Sequence, residues 1–190
     1  MPKEIETKFK ITDPKALKES LKKIGAAFIS KNLEQDTYYL SPKSNLALEV
    51  IRLRNINGKG IFTLKKAQPF KGSYVYKIRN ELEVDVSDPQ KFNQMLLALG
   101  FKPIFVKEKV RHTYRFGGAN ICIDELPYLG FYLEIEGTKS KIRIIAKKLN
   151  LDIKKAIAVT YLEIFKQYNK RRHKINKNKL IFMPAHKKRY

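Results

Sequence analysis

The sequence predicts an α+β protein of about eight strands, whose antiparallel sheet closes as a barrel with helices packed outside it. Three observations lead to this prediction. Strand-like segments alternate between polar and apolar residues, and a strand–helix unit occurs twice along the chain. In addition, 43% of the 190 residues are hydrophobic, which is enough for one domain with a substantial core.

The first strand–helix unit starts with a predicted strand at residues 3–11. Its polar and apolar residues alternate strictly, which is typical of a half-buried strand: Glu4, Glu6, Lys8 and Lys10 on one face, and Ile5, Thr7, Phe9 and Ile11 on the other. Asp13 and Pro14 then predict an N-cap and a first helical residue. Gly25 predicts the end of that helix.

The second unit repeats this order from Lys77 to Gly100. Residues 77–86 alternate in the same way, and Asp88 with Pro89 again predicts a helix start. The interval from Asp88 to Gly100 equals that from Asp13 to Gly25. Two such copies are too few for a solenoid but suit a pseudo-symmetric barrel.

The remaining elements follow from alternation and helical spacing. A hairpin turn is predicted at 57–60. Two C-terminal helices are predicted at 139–150 and 152–168, the second with a buried stripe of Ile153, Ala156, Ile157, Thr160 and Ile164. The barrel domain is expected to span 1–169 and a basic tail 170–190, in which 180–183 could pair as a short strand. The further predicted strands are 28–40, 47–55, 60–66, 106–116, 120–125 and 130–136.

Composition excludes some classes of protein and suggests others. The single Cys122 excludes an intramolecular disulfide and a cysteine zinc site, and three scattered histidines are too few for a typical zinc site. No apolar run approaches the ~20 residues of a membrane span, so a cytoplasmic protein without membrane contact is expected. From Lys166 onward there are ten basic and no acidic residues. This tail either contacts nucleic acid or another polyanion weakly, or only aids solubility.

The charged strand faces are the strongest functional signal. If helices cover the apolar outer faces, these charges must line the interior, where an isolated ion costs on the order of 20 kcal/mol in the ideal limit. Such an interior needs water and a ligand that matches both signs. Arg and Lys match phosphate oxygens. The acidic pairs Glu4/Glu6, Glu81/Glu83 and Glu134/Glu136 present the oxygen ligands that Mg²⁺ or Mn²⁺ prefers.

In this order the charged motifs resemble those of the CYTH superfamily, the triphosphate tunnel metalloenzymes. That superfamily includes class IV adenylate cyclases, thiamine triphosphatases and inorganic triphosphatases. The resemblance covers about residues 2–165, and one motif alone would be weakly specific. The matching motifs are Glu4-x-Glu6-x-Lys8, Arg52-x-Arg54, Thr63-x-Lys65, Arg79-x-Glu81-x-Glu83, Lys109-x-Arg111-x-x-Tyr114, Asp124, and Leu129-Gly130-Phe131-x-Leu133-Glu134-Ile135-Glu136.

The resemblance implies a closed eight-stranded antiparallel triphosphate tunnel and assigns roles to its residues. Lys8, Glu4 and Glu6 are the expected catalytic residues. The expected triphosphate-binding residues are Lys8, Arg52, Arg54, Lys65, Lys77, Arg79, Lys109 and Arg111. The expected ligands of Mg²⁺ or Mn²⁺ are Glu4, Glu6, Glu81, Glu83, Asp124, Glu134 and Glu136. Two departures stand out: residues 46–51 are less polar than the resemblance implies, and the tail has no counterpart.

Three functions are compatible with these residues. Hydrolysis of a small-molecule triphosphate, such as inorganic tripolyphosphate or thiamine triphosphate, is favoured because it needs the fewest special features. Conversion of ATP to cyclic AMP and pyrophosphate is the alternative, but no local motif predicts a purine pocket. A non-enzymatic polyphosphate- or RNA-binding module would use the net charge of +22, although the acidic pairs count against it. The oligomeric state stays open.

Overall fold

Eight strands close into an antiparallel barrel in the computed structural model of the chain, which describes residues 1–42, 49–67, 75–172 and 177–184. The strands follow one another around the barrel in the order β2-β3-β4-β5-β1-β8-β7-β6, and β6 pairs again with β2. The predicted fold class is therefore confirmed. The strands are β1 (Lys3–Ile11), β2 (Ala27–Leu40), β3 (Glu49–Ile56), β4 (Lys59–Ala67), β5 (Lys77–Val86), β6 (Lys102–Phe116), β7 (Ala119–Leu126) and β8 (Gly130–Glu136).

Four helices and a short ninth strand complete the described part of the fold. The helices are α1 (Pro14–Lys23), α2 (Pro89–Ala98), α3 (Lys139–Lys148) and α4 (Tyr161–Arg172). Strand β9 (Lys179–Leu180) pairs in parallel with β6 outside the eight-stranded ring. None of these helices is long and apolar enough to cross a membrane.

The repeat seen in the sequence is a structural repeat. One half is β1-α1-β2-β3-β4 and the other is β5-α2-β6-β7-β8, and the halves join through the antiparallel β1–β5, β1–β8, β4–β5 and β2–β6 pairs. The N-caps Asp13 and Asp88 are 75 positions apart, and each carboxylate accepts hydrogen bonds from the backbone amides two and three residues further along the chain. Gly25 and Gly100 end the two helices with φ near +80°.

The apolar faces of the strands point outward and pack beneath the helices. Helices α1 and α3 bury residues such as Leu21 and Ile142 against β1, β7 and β8. Helix α2 buries Leu96 against β2 and β3, and α4 buries Phe165 against β6 and the β7–β8 hairpin. Because the outer faces are apolar, the alternating charged faces are turned into the barrel.

The predicted helix over 152–168 is wrong in its first half. Residues Ile153–Lys155 form a short 3-10 helix, and α4 starts only at Tyr161. Between them the chain is extended, and the amide of Ile157 donates a hydrogen bond of 2.7 Å to the Lys8 carbonyl. Thr160 then caps α4, since its Oγ1 accepts a hydrogen bond from the Glu163 amide, and the Thr160 amide in turn donates to Glu163 Oε2. Helical spacing of apolar residues did not reveal this tertiary contact.

The described part of the predicted tail packs on the barrel. The boundary expected at residue 170 falls inside α4, and Leu180 and Phe182 are 0% and 6% exposed. The Phe182 amide donates a hydrogen bond of 3.0 Å to Glu108 Oε2 on β6. The short strand expected at 180–183 is observed at Lys179–Leu180. Residues 173–176 and 185–190 of the tail, and 46–48 of the departing segment, lie outside the described residues.

Candidate functional site

The inward strand faces enclose a cavity of about 250 Å³. Nine basic and six acidic side chains line it, so the wall itself carries an excess of three positive charges. Every residue predicted for the site lines this cavity except Asp124. The charged lining residues are Lys8, Arg52, Arg54, Lys65, Lys77, Arg79, Lys107, Lys109, Arg111, Glu4, Glu6, Glu81, Glu83, Glu134 and Glu136.

Three of the predicted carboxylates converge on one point. Glu4 and Glu6 are two positions apart on β1 and so share a face, and the β1–β8 register places Glu136 opposite Glu6. One carboxylate oxygen from each of the three lies within 4.8 Å of the other two. Oxygen atoms grouped in this way match the preference of hard divalent cations such as Mg²⁺ and Mn²⁺.

This carboxylate group carries negative charge that its neighbours do not fully neutralise. Burial raises the pKa of Glu136 to about 7, and the nearby Glu134, Glu6 and Glu4 act in the same direction against Arg111. The pKa of Glu6 instead falls to about 2, because Lys77 and other lysines outweigh burial. A dication would relieve the repulsion around Glu136, so the residues present fit a divalent metal ion.

The other predicted metal ligands are paired with basic residues. Glu81 lies 2.9 Å from Lys65, and Glu83 lies 3.1 Å from Arg52. Burial raises the pKa of Glu81 to about 7, with Glu4 adding to the effect and Lys65 opposing it. These two carboxylates line the cavity without joining the group of three, and their assignment as ligands stays a prediction.

Asp124 lies behind the cavity wall. It is 0% exposed, and its two oxygens accept hydrogen bonds from Lys109 at 3.0 Å and from Arg111 at 2.6 and 2.7 Å. The hydroxyl of Tyr161 donates a further bond of 3.0 Å. The carboxylate thus orients two of the cations that line the cavity. Its predicted role as a metal ligand remains untested.

Lys8 is the most enclosed of the predicted catalytic residues. Its ammonium lies 2.9 Å from Glu134 Oε1 and is 2% exposed. Although burial opposes it, Glu134 and Glu6 raise the pKa of Lys8, so the side chain is charged at neutral pH. Glu134 also accepts a short hydrogen bond from Arg111. Glu134 therefore holds Lys8 and Arg111 at the same part of the cavity wall.

Three other predicted phosphate-binding residues surround the carboxylate group. Lys65 contacts Glu4 at 2.8 Å, and Lys77 contacts Glu6 at 2.6 Å. Burial lowers the pKa of Lys77, despite the opposing effect of Glu6. Arg79 lines the cavity and forms no ion pair within 4.0 Å among the residues that the structure describes, so its charge is available to an anion.

Strand β2 contributes a buried acidic pair that the sequence reasoning missed. Arg54 binds Asp36 through two hydrogen bonds of 2.7 and 3.1 Å, and Lys107 lies 2.9 Å from the same carboxylate. Glu34 contacts Arg54 at 3.1 Å and Lys109 at 3.3 Å. The alternation of Glu34 with Asp36 in the sequence, and of Lys107 with Lys109, was a signal that could have predicted these pairs. The β2–β6 register that brings the four side chains together could not be predicted from the sequence.

The first turn of α4 supplies a second missed feature. Thr160, Tyr161 and Leu162 line the cavity. The Tyr161 ring lies 4.2 Å from the ammonium of Lys8, 5.3 Å from that of Lys107 and 6.0 Å from that of Lys109. These distances allow cation–π attraction, which holds like charges close together. The sequence reasoning placed this segment within a longer helix and so assigned it no part in the site.

The family of the chain follows from the barrel and its charged interior. A sequence model of the CYTH domain matches residues 2–164, and the chain belongs to that family. It is 32% identical over 173 residues to "Putative adenylate cyclase MJ0240" of Methanocaldococcus jannaschii, covering 85% of this chain and 97% of the relative.

Solved structures share the fold. The PH1012 protein of Pyrococcus horikoshii superposes with a TM-score of 0.73 at 26% identity, covering 84% of this chain and 98% of that one. A Hippeastrum protein described as a putative adenylyl cyclase with a dominant triphosphatase activity superposes with a TM-score of 0.65 at 19% identity. That match covers 87% of this chain and 96% of the Hippeastrum chain, and it shows the fold alone.

Proposed function

We propose that the protein is a divalent-metal-dependent hydrolase of a triphosphate bound inside the barrel. The observation that carries the proposal is the cavity itself, which nine basic residues line together with a convergent group of Glu4, Glu6 and Glu136. Cations alone would suit any polyanion. Carboxylates beside a polyanion repel it unless a metal ion lies between them, so the combination favours a metal–polyphosphate complex.

In this proposal the basic residues bind and orient the phosphate oxygens. Arg79 offers a charge that no carboxylate within 4.0 Å neutralises among the described residues. Lys8, Lys65 and Lys77 give up part of their contact with glutamates when a phosphate arrives. Arg52, Arg54, Lys109 and Arg111 are held by carboxylates on neighbouring strands, which fixes their guanidinium and ammonium groups before binding.

Glu4, Glu6 and Glu136 would hold the metal ion, Mg²⁺ or Mn²⁺. When bound there, the ion would neutralise charge on the phosphoryl oxygens under attack. Lys8 lies on the next inward position of β1 after Glu6, so its charge faces the same anion. Although burial lowers the pKa of Lys8, Glu134 and Glu6 raise it further, so Lys8 stays protonated as a donor to a phosphate oxygen.

Cavity size favours hydrolysis of a compact substrate. At about 250 Å³ the cavity lies below the ~300–1,000 Å³ typical of pockets that enclose drug-sized ligands. A triphosphate chain belongs inside such a space, and an organic group, where present, extends out of it. Hydrolysis of the terminal phosphate does not require that the organic group be bound. Inorganic tripolyphosphate and an organic triphosphate such as thiamine triphosphate are therefore both suitable substrates.

Adenylate cyclisation is the second candidate, because the relative from M. jannaschii carries an adenylate cyclase name. Cyclisation requires that the ribose 3′-hydroxyl reach the α-phosphorus and therefore that the adenine be held. Among the described residues, Tyr38 and Tyr161 are the aromatic residues that line the cavity, and ammonium groups lie over both rings: Lys8 over Tyr161 at 4.2 Å and Lys107 over Tyr38 at 5.5 Å. Neither ring is therefore open to stack on an adenine as it stands. A non-enzymatic RNA- or polyphosphate-binding module is less consistent with the convergent carboxylates.

The test is an assay of the full chain with Mg²⁺ or Mn²⁺ on tripolyphosphate, thiamine triphosphate and ATP. The proposal expects metal-dependent phosphate release from at least one of them. A double variant with Glu4→Gln and Glu6→Gln serves as the control for contaminating phosphatases. Cyclic AMP with pyrophosphate would instead establish the cyclase, and no product from any substrate with either metal would refute both enzymes.

A further inference from the structure

Most of the positive charge of the chain lies outside the cavity wall. That wall carries an excess of three positive charges, whereas the whole chain carries +22. Helices α1 and α3 cover the same buried cluster, and together they have nine basic residues and one acidic residue, Glu19. Helix α2, the counterpart of α1 in the other half, has one basic residue, Lys91, which pairs with Asp88. Positive charge is therefore concentrated on the side of the barrel that α1 and α3 cover.

The charges of these two helices are not neutralised by neighbouring carboxylates. In the part of the chain that the structure describes, none of the nine basic side chains lies within 4.0 Å of a carboxylate oxygen. The first turns of α1 and α3 contain lysines and no acidic residue. The positive end of a helix macrodipole disfavours cations there, so this placement costs stability in the free protein. Residues that break a local rule in this way are expected where a protein binds a partner.

Beside the helices, the outer face of β6 carries a line of aromatic residues. These residues are His112, Tyr114 and Phe116. They alternate with Arg111, which lines the cavity, so they point outward. Phe28 lies opposite Tyr114 in the β2–β6 register, and its ring centroid lies 5.4 Å from that of Tyr114 and 6.4 Å from that of His112. Phe28 is 56% exposed. We call Phe28, His112, Tyr114 and Phe116 the β6 aromatic strip.

Lysines flank the first end of the β6 aromatic strip. Lys31 lies directly opposite His112 in the β2–β6 register. Lys18 of α1 is close enough to both residues for electrostatic repulsion. Glu125 on β7 offsets part of this charge, since it acts on His112 and Lys18 in the opposite direction. An excess of positive charge therefore remains at this end.

Two lysines of α3 flank the other end of the strip. The ammonium of Lys148 lies 5.9 Å from the ring centroid of Phe116. The ammonium of Lys141 donates a hydrogen bond of 3.2 Å to the Gly118 carbonyl, in the turn between β6 and β7. Lys141 and Lys148 are seven positions apart and so lie on the same side of α3. The aromatic strip thus runs between cations at both of its ends.

A row of aromatic side chains between cations fits single-stranded nucleic acid. The bases of a single strand stack on aromatic rings while lysines contact its phosphates. A duplex offers the same phosphates, but its bases are already stacked and would leave Phe28 unused. Helices that bind an anionic membrane turn their apolar face to the lipid. The apolar faces of α1 and α3 are instead buried against the barrel, and of the apolar residues of α3 only Ile144 is exposed.

We propose that the β6 aromatic strip and the basic helices α1 and α3 beside it bind single-stranded nucleic acid without sequence preference. Bases stack on the exposed ring of Phe28. Backbone phosphates contact Lys18 at one end of the strip, and Lys141 with Lys148 at the other. The three aromatic residues of β6 span about 13 Å, which is enough to contact more than one nucleotide. This surface lies on the outside of the barrel, so binding there does not depend on the proposed hydrolysis.

The experiment measures, by fluorescence anisotropy, the binding of the full chain to an oligothymidine of about 16 nucleotides. The probe has hydroxyl groups at both ends and therefore carries no triphosphate that could enter the cavity. Its affinity should fall as salt rises from about 50 to 200 mM, with a slope of about −2 or steeper in a plot of log K against log salt. Each phosphate contact on a single strand contributes about −0.7 to that slope, and three lysines contact the strand. No binding at about 50 mM salt would overturn the proposal.

A double variant tests the cations of α3. Lys141→Gln with Lys148→Gln should weaken binding about tenfold or more at low salt and reduce the steepness of the salt slope by about 1.4. The matched control is Lys59→Gln with Lys91→Gln, which removes the same charge from the exposed β3–β4 turn and from α2. The control should bind like the unaltered protein. Equal losses in the two double variants would show that net charge alone governs binding, and this would overturn the proposed surface.

A second variant tests stacking. Phe28→Ala should weaken binding about fivefold or more without changing the salt slope, because it removes an aromatic ring and no charge. Leu99→Ala is the control, since Leu99 is 67% exposed at the end of α2. Circular dichroism shows whether each variant is folded. If Phe28→Ala does not fold, Phe28→Leu decides the question, because it keeps an apolar side chain and removes the ring. Unchanged affinity in the folded variant would overturn the proposal.

Further probes separate this surface from other anion-binding modes. Arg79→Gln changes the cavity wall and should bind the oligonucleotide like the unaltered protein, whatever it does to hydrolysis. Loss of binding in Arg79→Gln would place the oligonucleotide in the cavity and overturn the proposal. Equal affinity for a duplex of the same length would overturn the stacking of bases on Phe28. Binding to phosphatidylglycerol vesicles without binding to the oligonucleotide would overturn the proposal in favour of a membrane surface.

Discussion

The hydroxyl of Tyr161 donates a hydrogen bond of 3.0 Å to Oδ2 of Asp124, and this contact ties the first turn of α4 to β7. Asp124 also forms ion pairs with Lys109 and Arg111. One fully buried carboxylate thus neutralises two cations and accepts a hydrogen bond from the Tyr161 hydroxyl. Burial, and then the negative charge of Asp124, raise the pKa of Tyr161, which keeps the hydroxyl protonated as the donor. The arrangement makes Asp124 a structural centre of this part of the barrel.

We predict that Asp124→Asn destabilises the protein by about 3–5 kcal/mol, because two buried cations lose their counter-charge. Tyr161→Phe should cost about 1 kcal/mol, the contribution of one hydrogen bond. Urea unfolding followed by circular dichroism measures both. Glu49→Gln is the control, since Glu49 pairs with the half-exposed Lys66. Unchanged stability of Asp124→Asn, with weakened metal binding, would instead make Asp124 a ligand.

A second prediction concerns the carboxylate group. Glu136→Gln should weaken Mn²⁺ binding at least about tenfold, because one of three converging oxygens loses its charge. Glu83→Gln should change the affinity less, since Glu83 pairs with Arg52 and Thr63 outside that group. Calorimetric titration of Mn²⁺ into the protein measures this without substrate. Equal effects of the two variants would show that the metal ion is not centred on Glu4, Glu6 and Glu136.

Lys8→Ala should lower kcat/KM about a hundredfold or more while the protein stays folded. The ammonium faces the cavity, and Glu134 keeps Arg111 as a partner after the change. Lys10→Ala is the matched control on the same strand. Its side chain donates to the Leu129 carbonyl and does not line the cavity. Steady-state kinetics on the accepted triphosphate would contradict the prediction if Lys8→Ala kept near-normal activity.

A further prediction concerns how the stability of the protein depends on pH through His112, which lies on the outer face of β6. Burial lowers the pKa of His112 from 6.5 to about 4, and the positive charges of Lys18 and Lys31 act in the same direction against Glu125. Between pH 6.5 and 4 the unfolded chain therefore binds a proton that the folded chain does not. The stability associated with neutral His112 is present above pH 6.5 and is lost as the pH falls to about 4.

The measurement is the urea midpoint at neutral pH and near pH 4.5, for the unaltered protein and for His112→Gln. We expect the unaltered protein to lose more stability than the variant over this range, because the carboxylates common to both cancel in the comparison. An equal loss in the two proteins would show that His112 titrates normally in the folded state.

Much of the site could be predicted because a strand turns every second residue to the same side. Alternation alone placed Glu4, Glu6 and Lys8 on one face, and the apolar opposite face indicated that this side points into the barrel. The repeated Asp-Pro helix starts likewise predicted two similar halves, which the structure confirms. Local spacing decides these features.

What the sequence could not provide is the register between strands far apart in the chain. Glu136 joins Glu6 only through the β1–β8 pairing, and Asp36 meets Lys107 only through the β2–β6 pairing. The predicted start of the last helix, at residue 152, was wrong for a related reason. Apolar spacing from Ile153 to Ile164 fits a helix, but the Ile157 amide donates to the Lys8 carbonyl and this tertiary contact holds part of the segment extended.

The two neighbours of β1 have a consequence for synthesis on the ribosome. Strand β1 is translated before its partners β5 and β8, which start only at Lys77 and Gly130. An unpaired strand edge can pair with other chains, and β1 stays in that condition until β5 and then β8 have been translated. The charged face of β1 reduces this hazard, since Glu4, Glu6, Lys8 and Lys10 would lose their water in an intermolecular sheet packed against apolar surface. Glu4, Glu6 and Lys8, which line the cavity of the folded protein, thus also make the unpaired strand a poor template for aggregation.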